Sequence, residues 1–404
     1  MAQISPFQPY RYTLKAGSLS DVVTQPYDKI SPAMRARYLA LSPYNLVRII
    51  LPERRPTDSD TDNVYTRAAC HLEDWIARGV LEREAEPSLY AYFQEFTVPD
   101  TNEKLVRKGF IGLGPVEPYS ERIVHRHEQT LTGPKKDRLD LLRHTHAHFG
   151  QLFMLYPDPA GEIDGMLDET AKAAADGVTV DEYGAVHQIW RISDPARIAR
   201  IQQAMADKKL LIADGHHRYE TALAFRGENP RLPGVDKVMM TFVNMYSPGL
   251  KILATHRLVS GLAHFDKNEF LTRAAADFRV EKVDSLEELN CRNGIGVATG
   301  NELYSLEPLG TAETLDVKIL HELLLAKALG VGEDAVREEK NLRYIRGLEA
   351  AVEEARKGTA QVAFLLKPTS IQQVADISFG GGVMPQKSTD FYPKLLSGLT
   401  IYKL

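Results

Sequence analysis

Residues 210–225 read LLIADGHHRYETALAF, and the way this run divides decides the architecture. KKLLIA, residues 208–213, has the length and apolar content of a sheet strand, and YETALAF continues as a helix from about Arg218. Asp214, Gly215, His216, His217 and Arg218 therefore fall where a strand ends and a helix begins. A helix that starts there leaves its first amide hydrogens unpaired, and their partial positive charge attracts an anion. Gly215 permits a tight turn or a close backbone approach, and Asp214 is placed to cap the helix. The two imidazoles and the Arg218 guanidinium are donors for an oxyanion, the guanidinium offering a bidentate fork suited to phosphate. The bland alternative is that Asp214 only caps and His217 packs under the sheet. Asp214, His216, His217 and Arg218 crowded into one turn weigh against it, because strand ends are where α/β proteins place ligands. Glu220, one turn on, faces solvent or reaches back.

Around this element the chain reads as a mixed α/β (α+β) protein with mixed sheets and flanking helices. Upstream, NLVRIILP (45–52) is strand-like, NVYTRAACHLEDWIARGVL places Ala69, Leu72, Ile76 and Val80 at helical spacing, and SLYAYFQEFTV with KLVRKGFIGLGPVE forms a hairpin turning near PDTNEK. Pro134 suits a helix start, with Leu139, Leu142 and His146 on one face. Helix, strand (AVHQIWRIS) and helix (PARIARIQQAMAD) lead into residue 208, and VDKVMMTFVNMY and GLKILATHRLV follow as two strands. Further on, DVKILHELLLAKAL and LRYIRGLEAAVEEARKG read as helices and AQVAFLLKP as a strand. Three regions are expected: 1–120, 121–262 carrying the DGHHR turn, and 263–404, whose tail returns to the site.

At 404 residues the chain exceeds what a single core usually serves. Its 44% hydrophobic and 25% charged residues, with a mean hydropathy of -0.27, are those of a globular protein rather than a disordered one. A net charge of -5 argues against a broad basic face, so nucleic acid is a disfavoured partner and any anion needs a local site. Cys70 and Cys291 stand alone, outside any CxxC pair, which fits a reducing cytoplasm. Neither a signal-like start nor an apolar run of about 18 residues occurs, so no membrane partner is expected.

Two further clusters carry chemistry. Residues 122–149 hold five of the twelve histidines. Alternation in VHRHE puts His125 and His127 on one strand face with Glu128 at its end, and Lys135, Lys136 and Arg138 follow beside the turn. Asp140, His144 and His148, spaced i, i+4, i+8, would share a helix face as a metal site, against the equally common solvated flank; no HExxH pattern is present. The second cluster, MPQKSTDFYPK, sets Lys387, Ser388 and Thr389 after glycines. It lacks the GxxxxGK[ST] spacing and is read as an anion contact carried by the C-terminal tail, or else an ordinary turn. Asp28, beside Tyr27 in QPYDKI, is a candidate acid or base or a turn-forming Asp, and THR at 255–257 is a comparable strand end.

Taken together, ADGHHRYETAL, RHEQTL with PKKDRLDLLR, FVNM with PGLKILATHR, and MPQKSTDFYPKLLSGL resemble, over essentially the whole chain, the bacterial family known as domain of unknown function 1015. Strand, DGHHR and helix, around residues 205–260, also resemble the phosphate-binding element of the ParB and sulfiredoxin superfamily, whose free-serine kinases use such a turn at nucleotide and substrate phosphates. The resemblance implies a phosphoryl site at Asp214, His216, His217 and Arg218. The expected function is a nucleotide-dependent phosphoryl transferase on a small hydroxylated metabolite, free serine first, with ATP or ADP and Mg2+. Arg218, His216, His217, Lys135 and Lys387 would stabilise the phosphoryl oxygens, Asp214 would contact the metal or the substrate hydroxyl, and Asp28 or Glu128 would be the base. His125, His127, Arg138, Ser388 and Thr389 complete the expected anion contacts. The alternatives are a phosphomonoester hydrolase and a ParB-like nucleotide switch without turnover.

Overall fold

Eight strands of the N-terminal and central sequence meet in one sheet, in the order Val124–His125, Leu210–Asp214, Leu152–Tyr156, Lys237–Asn244, Lys104–Pro115, Leu89–Thr97, Val186–Ile192, Gly177–Val180. This is seen in a computed structural model, which describes residues 2–99, 101–128, 132–310 and 315–404, without the side chains of 132–134. The Pro134 ring and Gln129, Thr130 and Leu131 of the RHEQTL motif thus lie outside the described residues. The sheet is mixed. Strand 210–214 runs parallel to 124–125 and antiparallel to 152–156, which is parallel to 237–244, and the remaining neighbours are antiparallel.

The period of two explains its burial. Leu152, Met154 and Tyr156, with Leu210 and Ile212, and Val238, Met240 and Phe242, point into one core, where the Phe110 and Phe242 rings stack at 4.9 Å. Alternate residues such as Leu211, Phe153 and Leu155 are buried on the other face. Burying one such side chain contributes about 1.5–3 kcal/mol, so the central strands hold the sheet. Helix Pro195–Met205 starts on Pro195 with Asp194 accepting from the Ala196 amide, and sets Ile198, Ile201 and Met205 into the same core.

The chain divides into two compact units. One comprises Met1–Val98, Glu103–Lys251 and Pro393–Leu404, and the other Pro99–Asn102 with Ile252–Tyr392. In the first unit, Pro393–Leu404 is stitched in by long-range bonds. The Gln94 side chain donates to the Lys394 carbonyl at 2.9 Å, buried Arg107 donates to the Pro393 carbonyl, and Thr24 and Ser397 exchange backbone hydrogen bonds. Tyr402–Lys403 pairs with Ala147–His148. The second unit has a six-stranded antiparallel sheet, in the order Phe278–Val283, Glu302–Pro308, Ile295–Thr299, Val362–Leu365, His256–Val259, Leu342–Ile345.

Several local expectations are corrected. NLVRIILP holds a short helix, Val47–Ile50, because Leu46, Val47, Ile49 and Ile50 are all buried and amides of the segment bond back to Leu46 and Val47. GLKILATHRLV breaks into Lys251–Leu253 and His256–Val259, and the first residues of LRYIRGLEAAVEEARKG form strand Leu342–Ile345 before Gly347 opens the helix Leu348–Arg356. Helix Val64–Ala77 buries Val64, Ala68, Leu72 and Trp75, a face rotated from the expected one because Trp75 is the bulkiest apolar group. The metal face dissolves: helix Thr132–Thr145 ends before His146, which takes φ +47°, so His148 sits on a strand and stacks on Tyr402 rather than beside His144. Among the described residues no group of three His, Cys, Asp or Glu is placed to hold a metal.

Candidate functional site

The site is built by a fault in a strand. Along 210–214 the pairing with 152–156 slips, Ile212 facing Met154 and Asp214 facing Phe153, so that a bulge at Ala213 re-aims Asp214 out of an otherwise buried run. Gly215 follows at φ +99°. A Cβ there would stand 2.9 Å from Leu152 Cδ2 and 3.1 Å from the Arg218 guanidinium, so both the backbone conformation and the space require glycine. The helix then begins at His216, two residues earlier than expected, with Gly215, which has no side chain to cap with, at its N-cap. Asp214 is not the cap.

Its carboxylate instead gathers cations. Asp214 Oδ2 accepts from Arg218 Nη2 at 3.0 Å, and Oδ1 lies 3.7 Å from the Lys394 ammonium. Burial alone would raise this carboxyl's pKa, but Lys394, Arg218, Lys29 and His216 outweigh it and hold the group well below the usual carboxylate range. Arg218 also donates to the Gln151 carbonyl, which fixes its fork. Lys394 was not among the expected site residues; its side chain is only 9% exposed and is delivered by the C-terminal segment.

The histidines separate into roles. His127 Nδ1 donates to the Ile212 carbonyl at 2.7 Å, beside the bulge, and the His127 amide donates to His216 Nε2 at 3.4 Å, the two rings meeting edge to face. Burial pushes both pKa values down, so the pair is neutral and supports the turn from beneath. His217 is only half-buried; burial lowers its pKa, while Glu128, Glu220 and Asp28 act in the opposite direction and Lys135 adds to the lowering. His125 is not on the same strand face as His127, because the strand ends at His125, whose Nε2 donates to the Arg122 carbonyl at 3.0 Å.

The other expected residues are placed as follows. Lys135 and Arg126 both pair with Glu220, which therefore reaches back rather than facing solvent. Arg138 donates to the Ile50 carbonyl at 2.7 Å and to Asp137, and its guanidinium lies 4.2 Å over the Tyr27 ring. Asp28 is exposed on the turn Tyr27–Lys29, its charge felt at Tyr27 and at His217. Lys387, Ser388 and Thr389 belong to the second unit. There Ser388 Oγ donates to the Pro385 carbonyl, and Arg257 of the THR segment is buried and donates to the Lys387 carbonyl at 2.8 Å. In the first unit, Asp214, His216, His217, Arg218, His127 and Glu128 thus come together, joined by Lys29 and Lys394. A cleft of about 590 Å³, including its open mouth, adjoins them at Arg218.

No helix among the described residues is long and apolar enough to cross a membrane. No curated protein matches the chain. Among solved structures, the chain is similar to a conserved hypothetical protein from Pyrococcus furiosus (15% identity, 67% of this chain and 87% of that one, TM-score 0.36). It is also similar to a free serine kinase in complex with AMP (16% identity, 69% and 89%, TM-score 0.38) and to SbnI with C-terminal truncation from Staphylococcus aureus (12% identity, 72% and 87%, TM-score 0.36). The family model described as Protein of unknown function (DUF1015) matches residues 4–325, and the chain belongs to that family.

Proposed function

We propose that the turn after strand 210–214 is the phosphate site of a nucleotide-dependent phosphoryl transferase acting on a small hydroxylated metabolite, with free serine the first acceptor to test. The observation that carries this reading is the gathering of the Arg218 guanidinium and the Lys394 ammonium on Asp214, directly before a helix that opens on a glycine cap. An arriving phosphoryl group competes with the Asp214 carboxylate for those two cations, which are preorganised before it binds, and faces the positive end of the helix that begins at His216.

ATP or ADP supplies the phosphoryl group, with Mg2+ on its phosphates. A protein cage for the ion does not fit, since both Asp214 oxygens already face cations; an ion held mainly by phosphates and water does. His217, half-buried and neutral near pH 7, takes the proton of the acceptor hydroxyl, and Glu128 beside it stabilises the imidazolium. The hydroxyl oxygen then bonds to the terminal phosphorus as the bond to the leaving phosphate oxygen breaks, and Arg218 and Lys394 neutralise the charge left there. Asp28, exposed on the turn Tyr27–Lys29, is the alternative base.

The test is to incubate purified protein with ATP or ADP, Mg2+ and serine and to follow phosphoserine by mass spectrometry. No phosphoserine with either donor removes the serine version. Phosphate release from a phosphomonoester without nucleotide replaces the transferase by a hydrolase, and nucleotide binding with no turnover on any hydroxylated acceptor replaces it by a switch.

A further inference from the structure

The cleft beside Arg218 is unlike the charged turn it adjoins. Its walls are largely apolar, with Ile50, Leu141, Leu142 and Phe149 among them, and the Tyr27 ring lies on one side under the Arg138 guanidinium at 4.2 Å. Arg138 is pinned there by the Ile50 carbonyl and by Asp137, so the aromatic and cationic planes form a fixed stack. Gly150 also lines the cleft; a Cβ there would lie 3.1 Å from Ser397 Oγ and 3.2 Å from Arg218 Nη1, so the missing side chain lets both close in on it. His148, also in the wall, is kept neutral by burial, its pKa pushed down to about 4, and so presents one donor and one acceptor.

We infer that this cleft seats the flat heteroaromatic base of the nucleotide, with Tyr27 and Arg138 as its stacking wall and Arg218 joining the base site to the phosphate site. The inference rests on the phosphoryl-transfer reading and deepens it. A small zwitterionic acceptor would strand an ammonium and a carboxylate against hydrocarbon here, whereas a nucleobase offers two faces that prefer such walls and an edge that His148 and Ser397 can meet.

The test compares ATP, inorganic tripolyphosphate and adenosine by calorimetry on the full chain and on two variants, Ser397→Leu, which fills the cleft, and Tyr27→Ala, which removes its aromatic wall. Melting temperatures verify folding. ATP and adenosine should bind about tenfold or more weakly to each variant, with tripolyphosphate within about twofold of the unaltered protein. Folded variants that bind ATP as well as the unaltered protein overturn the base site and leave the phosphate site standing. If the unaltered protein binds neither ATP nor tripolyphosphate, the phosphate reading falls; adenosine binding lost in Ser397→Leu still supports the cleft, and its absence overturns it. Should both variants fail to fold, saturation transfer from protein methyl groups to adenine H2 and H8 in the unaltered protein decides, and no transfer overturns the inference.

Discussion

Replacing Lys394 by Met removes the charge that the C-terminal segment brings to Asp214 while keeping most of the stem volume. At the observed 3.7 Å and an effective dielectric of about 20, the gross attraction is about 4.5 kcal/mol. Desolvation of the ammonium, whose side chain is largely buried, offsets part of it, and Arg218 remains on the other oxygen. A net loss of about 2–3 kcal/mol at pH 7 is expected in urea unfolding. In a double-mutant cycle with Asp214→Asn, the coupling should be about 1–2 kcal/mol. The pH dependence gives a second reading. A carboxyl whose folded pKa lies below its unfolded value contributes stability that is present above about pH 3.8 and is lost as pH falls through the folded value. Without Lys394 that folded value rises, so the gap between parent and variant should narrow as pH falls through the variant's folded value towards the parent's. Strict additivity, with coupling under about 0.5 kcal/mol, would refute the claim that these charges hold one another.

Three other outcomes are expected. Gly215→Ala, forced to keep φ +99° with its Cβ against Leu152 and Arg218, should lose about 2–3 kcal/mol in thermal or urea melts and weaken phosphate binding; a neutral substitution would mean that the turn relaxes freely. His217→Gln should lower turnover about 100-fold or more, and the parent's kcat/KM should rise with pH to a plateau whose midpoint is below 6.5, because the active form is the neutral imidazole; a midpoint above 6.5 contradicts the depressed pKa. Burial depresses the pKa values of His127, His148, His187 and His216, so the unfolded chain binds more protons below about pH 6.5 and stability should fall from there towards pH 4. His148 alone, pushed down to about 4, accounts for up to about 3 kcal/mol of this, and His148→Phe should flatten the slope measured by urea unfolding across that range.

The strand, turn and helix at 210–228 were legible because their determinants are local: an apolar run, a glycine and a helical pattern in one window. So were the hairpin of 89–97 with 104–115 and the helix opened by Asp194 and Pro195. The bulge was not, because register depends on Leu152–Tyr156, a partner more than fifty residues away. Lys394 and Lys29 were missed for the same reason: nothing in YPKLL or YDKI states that each lies near Asp214, and only the bonds of Pro393–Leu404 to Gln94, Arg107 and Thr24 put the first of them there. The helical spacing of Asp140, His144 and His148 misled because one residue, His146, leaves the helical conformation. NLVRIILP misled because β-branched residues that are buried all round fit a helix as well as a strand.

The return of Pro393–Leu404 to the first unit also sets an order of events in synthesis. A ribosome adding about 5–20 residues per second must make all of Ile252–Tyr392 before it reaches Lys394, a delay of roughly 7–30 seconds. Through that interval the nascent first unit holds its Arg107 and Asp214 without the backbone and charge that later cover them. A chaperone has its longest opportunity on this chain then, and a stop codon anywhere in the second unit leaves the first one unfinished as well.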